Sequence, residues 1–201
     1  MSNRQAVAAL VAAVGAADDE AAETAVAQLD ETDEPALVAL LDSDDQEATW
    51  WAARALGSCG NETAVAPLLT LLTHEDATLR TVAAMAIGTI AHRFPDSATM
   101  PPHLEELTPL LKDSDGLTRQ VAADALAQCG NMAIPALVKV LRFSPEQSAR
   151  SRAAYALGKI GTMEAAPALY RCLNDQNYLV HTYAHEALDK LGLLENILML
   201  P

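Results

Sequence analysis

One nine-residue frame returns along the chain at a near-constant interval, and this limits the possible folds more than composition does. The frame is Arg-x-x-Ala-Ala-x-Ala-Leu-Gly, clearest in the stretch Arg150 to Gly161. Earlier copies run from Thr49 to Gly57, Arg80 to Gly88 and Arg119 to Ala127, and a worn copy runs from His181 to Asp189. Their starts lie 31, 39, 31 and 31 residues apart. A unit this short cannot bury its apolar face alone, so it must stack on its neighbours.

Within each period the pattern reads as two helices. The first carries Pro-x-Leu near its start, at Pro35, Pro67, Pro135 and Pro167. Proline is tolerated in a first helical turn, where its missing N–H would be unpaired anyway. A polar turn follows, such as Asp42 to Asp45 or Lys112 to Gly116, and then the frame itself. In the copy at 80, Leu79, Ala83, Ala86, Ile87 and Ile90 recur at helical steps and predict one buried stripe. Paired alanines (Ala52-Ala53, Ala83-Ala84, Ala122-Ala123, Ala153-Ala154) predict close helix approach. The second helices end near Gly60, Gly130, Gly161 or Gly192, which suits left-handed C-caps.

Four residues before the Arg column stands an acid or amide: Asp45, Asp76, Asp115, Glu146 or Asn177. The column itself reads Thr49, Arg80, Arg119, Arg150 and His181. Acid and Arg once per unit suggest a ladder of charge-assisted hydrogen bonds along the stack. Residues 1–31 read as a degenerate capping repeat, with Gly15 closing its first helix, and 33–192 as five repeats. The long joint holds three prolines (Pro95, Pro101, Pro102), so a loop insertion is expected at 91–103, with Phe94 as its anchor or a contact. Residues 193–201 read as a C-terminal cap.

Charge narrows the partners. Net charge is −14, and from Asp18 to Glu47 there are 12 acidic residues and no basic one. Such a field repels phosphate backbones and excludes nucleic acid as the expected partner. A protein with a basic surface near the acidic N-terminal half fits better. No apolar run approaches the roughly 20 residues of a membrane span. The N-terminus lacks the charged start and cleavage site of an export signal, so a cytoplasmic protein is expected. Cys59 and Cys129 hold the same place in their repeats, and the cysteines, Cys172 included, read as small apolar residues; the alternative is a thiol site or a bilin-attachment nucleophile.

The two-helix units, with Pro-x-Leu, an Asp turn and Arg-x-x-Ala-Ala-x-Ala-Leu-Gly, resemble the HEAT repeats. Their short period resembles the phycobilisome-lyase-type HEAT-like subset in particular. The resemblance covers about residues 33–192. It implies an all-α, right-handed α-solenoid (superhelix) of about six helix-pair repeats, with the second helices lining a concave face. The family includes scaffold proteins, E/F-type phycobilin lyases and phycobilisome-degradation factors. Deoxyhypusine hydroxylases share the architecture and carry His-Glu pairs directly after the Arg column. The corresponding pairs here are Trp50-Trp51, Thr81-Val82, Gln120-Val121, Ser151-Arg152 and Thr182-Tyr183, which rules that enzyme out.

By helical projection the groove-facing positions include Trp50 or Trp51, Arg54, Met85, Asp124, Arg152, Tyr155, Tyr183 and Glu186. Trp, Tyr and Arg are the residue types enriched in binding hot spots. Partner contact is therefore expected at Trp50, Trp51, Arg54, Met85, Arg152, Tyr155, His181 and Tyr183. His181 and His185 stand four apart, a spacing that can share a metal, but no third ligand is signposted. No nucleophile elbow or Gly-rich phosphate loop occurs. The expectation is a non-catalytic scaffold or assembly factor without cofactor. The alternative is a bilin lyase-like protein, the one reading in which a tetrapyrrole is bound.

Overall fold

Every copy of the frame lies on the second helix of a helix pair in the computed structural model, which describes residues 3–194. Twelve α-helices and no strand occur among the described residues, and the chain divides into two compact units, Met1–Phe94 and Pro95–Pro201. The first unit holds α1 (Asn3–Gly15), α2 (Asp19–Val26), α3 (Glu34–Leu40), α4 (Gln46–Cys59), α5 (Val65–Thr70) and α6 (Ala77–Arg93). The second holds α7 (Met100–Leu107), α8 (Gly116–Gln128), α9 (Ile134–Phe143), α10 (Gln147–Ile160), α11 (Ala166–Arg171) and α12 (Tyr178–Lys190). The first helices of the later pairs are short and are extended by 3-10 turns such as Leu71–Thr73 and Cys172–Asn174.

The second helices bury more than one stripe. Both members of each alanine pair, from Ala52-Ala53 to Ala153-Ala154, are fully buried. Each such helix packs on its own first helix and on the second helix of the neighbouring pair, as α4 does on α6 and α10 on α12. Small side chains on two faces permit this. The last residue of the frame has the same role: a Cβ on Gly57 would meet the Ala86 backbone at 3.1 Å, and one on Gly158 would meet Ala187 Cβ at 3.1 Å.

The N-cap bonds and the Arg–carbonyl bonds lie within each pair. Asp45 accepts from the Glu47 N–H at 3.0 Å, Asp76 from Thr78 at 2.7 Å, Asp115 from Thr118 at 2.8 Å and Asn177 from Leu179 at 3.0 Å. Each is the N-cap of its own helix. The Arg column faces backwards. Arg80 Nη1 donates to the carbonyls of His74 and Glu75 (2.7 and 2.8 Å), and Arg119 Nη1 to those of Asp113 and Ser114 (2.6 and 3.0 Å). Arg150 Nη1 donates to Ser144 and Pro145 (3.2 and 3.1 Å). These carbonyls close the first helix of the pair and would otherwise lack partners. Thr49 makes a shorter version, its hydroxyl donating to the Asp45 carbonyl at 3.1 Å. Arg150 also reaches Asp175, in the next pair, at 3.5 Å.

Two further expectations are revised. Gly130, Gly161 and Gly192 have positive φ, but Gly60 has φ −67°. Glycine at 60 answers crowding instead, since a Cβ there would meet the Leu56 carbonyl oxygen at 2.7 Å. At the end of α1 the left-handed residue is Ala17 (φ 53°), not Gly15; Ala17 N–H bonds Val14 O and Asp18 N–H bonds Ala13 O. Those two bonds form a Schellman motif.

The joint expected at 91–103 spans residues 94–99: α6 runs to Arg93 and α7 begins at Met100, with Pro101 and Pro102 in its first turn. Arg93 Nη2 donates to the carbonyls of Gly57 (3.3 Å) and Gly60 (2.5 Å), capping α4. Phe94 is half-buried, with the Arg93 guanidinium 5.8 Å from its ring centroid. The expected C-terminal cap, including Glu195, lies mainly outside the described residues; within them, the Leu193 carbonyl accepts from the Tyr170 hydroxyl at 3.0 Å.

Candidate protein-binding surfaces

In the first unit the two tryptophans divide their roles. Trp51 is 4% exposed, and its indole N–H donates to Glu47 Oε1 at 3.1 Å. Trp50 is half-buried and meets Trp51 edge-to-face, with centroids 5.0 Å apart and planes at 84°. Together with Asp19, Glu23, Glu47 and Thr78 they line an open cleft of about 410 Å³. Arg54, one turn beyond Trp50, donates from Nη2 to both Glu23 carboxylate oxygens at 3.3 Å and from Nη1 to the Ser58 hydroxyl at 3.2 Å. Met85 stands at the matching position on α6 and is 38% exposed.

In the second unit a polar cluster ties three expected residues together. Asp124 accepts from Gln120 Nε2 (2.9 Å), the Tyr155 hydroxyl (3.0 Å) and Lys159 Nζ (2.7 Å). Arg152 Nη1 donates to Gln120 Oε1, extending the cluster from α8 to α10. Partial burial pushes the Asp124 carboxyl up, but the bonds from Gln120, Lys159 and Tyr155 outweigh it and leave it below its ordinary value. Tyr155 meets Tyr183 edge-on at 5.5 Å, and the two line a small cleft of about 110 Å³ with Lys159, Glu186 and Lys190. His181 is half-buried, its ring 6.2 Å from that of the exposed His185. No group of three or more His, Cys, Asp or Glu that could hold a metal occurs among the described residues. No helix there is long and apolar enough to cross a membrane.

Of the expected contact residues, Trp51 is a core residue at 4% exposure, Trp50 and Arg54 stand near Glu23 in the first unit, and Arg152, Tyr155 and Tyr183 are linked by contacts in the second. Sequence reasoning missed Gln120 and Lys159, and also the grouping of Asp19, Glu23 and Glu47 around Trp50. The available signal was register: Arg54, Met85, Asp124, Tyr155 and Glu186 occupy one repeat position, and Gln120 stands one turn before it. The thiols are poor nucleophiles. Burial pushes Cys59 up to about 11, with Asp33 adding to the rise, Cys129 up to about 12 and Cys172 up to about 11.

Helix pairs repeated in register, with N-capped turns at Asp45, Asp76, Asp115 and Asn177 and Arg-clamped carbonyls in three pairs, define a helical-repeat protein of the α-solenoid class. The model of the HEAT repeats matches residues 34–108 and 104–189, so the chain belongs to the HEAT repeat family. No match was found among curated proteins. Among solved structures the chain is similar to an engineered protein at 26% identity, over 92% of this chain and 96% of that one, with a TM-score of 0.54. It is similar to the archaeal HEAT-like repeats protein of Thermococcus onnurineus NA1 at 16% identity, over 94% and 80%, with a TM-score of 0.60. A designed armadillo repeat protein in complex with peptide (KR)4 is similar at 22% identity, over 94% and 99%, with a TM-score of 0.51. The last two likenesses concern the fold alone.

Proposed function

We propose that this HEAT repeat protein is a non-catalytic scaffold or assembly factor that binds a partner protein through the groove-facing side of its second helices. One observation carries the reading. The cores of both units are built mainly from Ala, Leu, Ile and Val, with Trp51 the buried aromatic, while Trp50 on α4, Tyr155 on α10 and Tyr183 on α12 stay half-exposed. Large amphipathic rings held on rigid helices supply contact area at low entropic cost, which is why such residues dominate binding hot spots. Helical-repeat folds commonly serve as protein-binding scaffolds, and the designed armadillo neighbour holds a peptide.

Site-specific photo-crosslinking tests the proposal. A photoreactive phenylalanine placed at Trp50, Tyr155 or Tyr183 is expected to capture the same partner protein from cells. The same residue at Leu117, exposed at the start of α8, is expected not to. Equal capture at Leu117 would remove the surface assignment.

The short repeat period supports a second reading, chromophore handling. Mixing with phycocyanobilin separates the two: a visible absorption shift, or covalent transfer to an acceptor subunit, would replace the scaffold reading. The raised thiol pKa values argue against a cysteine as the attachment nucleophile, since the thiolate is the reactive form.

A further inference from the structure

The cleft beside Trp50 combines an aromatic wall with three carboxylates, Asp19, Glu23 and Glu47. Acidic residues near helix starts usually serve the helix dipole and the unpaired N–H groups. Here the capping part of that role is already filled, and Asp19 and Glu47 follow in the first turns of α2 and α4. Asp18 caps α2 through the Ala21 N–H at 3.0 Å, and Asp45 and Asp76 cap α4 and α6. Asp19 has no hydrogen-bond or ion-pair partner among the described residues. Glu47 accepts one bond, from the Trp51 indole. Glu23 shares its charge with Arg54 at the edge of the cleft. Three carboxylates against one guanidinium leave the cleft negative, in a segment from Asp18 to Glu47 that holds no basic residue.

Building on the scaffold reading, we infer that the Trp50 cleft binds a lysine or arginine side chain projecting from a basic segment of the partner protein. A cation seated against the indole face gains from the ring quadrupole, and carboxylates at the rim add charge-assisted hydrogen bonds. An aliphatic side chain would instead strip water from Asp19 and Glu47 without compensating them. An acidic or nucleic-acid ligand would meet like charge. The cleft volume of about 410 Å³ and its open mouth admit a long, flexible side chain entering from solvent.

Trp50 and Trp51 are the only tryptophans in the chain, so tryptophan emission reports this cleft alone. The full chain is titrated with the octapeptide (Lys-Arg)4 and with uncharged (Gln-Ala)4. The basic peptide is expected to change the emission saturably, and the uncharged one is not. Asp19→Asn with Glu47→Gln is expected to weaken (Lys-Arg)4 binding at least about tenfold. Asp42→Asn with Asp44→Asn removes the same charge outside the cleft and is expected to change it less than about twofold. Trp50→Ala is expected to weaken binding with helical circular dichroism unchanged. An equal loss from the outside pair would overturn the inference in favour of a diffuse field, and so would a flat titration with (Lys-Arg)4. If (Gln-Ala)4 binds as tightly, cation specificity falls while the scaffold reading stands. If crosslinking at Trp50 also fails, that reading falls with it.

Discussion

At the level of single residues, the frame separates positions fixed by packing from positions open to partners. Both alanines of each pair, and the glycines at 57 and 158, sit where a larger side chain would collide with the neighbouring helix. Trp50, Tyr155 and Tyr183 interrupt no such contact. The cysteines fall with the packing residues: Cys129 and Cys172 are buried, and their thiols donate to the carbonyls of Ala125 and Ala168. Alkylation by iodoacetamide at pH 8 is therefore expected to be slow at all three and slowest at Cys129. Mass spectrometry of labelled peptides over time gives the order, and a cysteine modified at the rate of a free thiol would contradict the burial. The burial of one tryptophan and the half-exposure of the other were legible from the hundred-degree step between them. The buried one is Trp51, whose indole N–H still finds the Glu47 carboxylate one turn back.

At the level of elements, helix number and pairing were legible, because an apolar period and a proline-marked start specify them locally. Termini were less so. The 91–103 stretch reads as a loop from its three prolines, yet Pro101 and Pro102 start a helix and α6 runs three residues past Ile90. Extension to Arg93 is rewarded by a contact 33 residues away, the Gly60 carbonyl, which no local signal announces. Arg93→Ala is expected to lower the unfolding free energy by about 1–2 kcal/mol, read from urea midpoints. Arg93→Lys, a point charge without the fork, is expected to recover part of it. The end of α1 offers the opposite change. Ala17 holds a left-handed conformation that costs an L-residue about 1–2 kcal/mol. Glycine there loses some of that gain to its freer unfolded state. Ala17→Gly is expected to raise the unfolding free energy by about 0.5–1 kcal/mol, and an unchanged midpoint would show the turn relaxes in solution.

For the whole molecule, charge sets the response to solution conditions. Asp30 is held below its ordinary value chiefly by the Thr32 hydroxyl, Asp76 by the Thr78 hydroxyl and Asp115 by the Thr118 backbone N–H. Asp124 is also lowered, its bonds outweighing burial. A carboxyl lowered on folding contributes stability that is present above its unfolded value, near 3.8, and is lost as pH falls through the folded value. A chain of net charge −14 also sheds self-repulsion as its surface acids protonate. Stability by thermal melting is thus expected to hold between pH 7 and 5 and to fall steeply below about pH 4. Replacing Asp76 and Asp115 by Asn, which still caps, should flatten the acid limb; an unchanged limb would place the loss elsewhere.

The Arg clamp has an evolutionary consequence. Arg80, Arg119 and Arg150 each bond carbonyls five and six residues upstream, inside their own period. A duplicated segment of one period would arrive with its Arg donor and its carbonyl acceptors together, and a contact between pairs such as Arg150–Asp175 would be the part to re-form. Gene segments of that length can be copied or dropped with the turn chemistry intact, so the chain can change its reach by tandem duplication while point mutation retunes only the exposed rings.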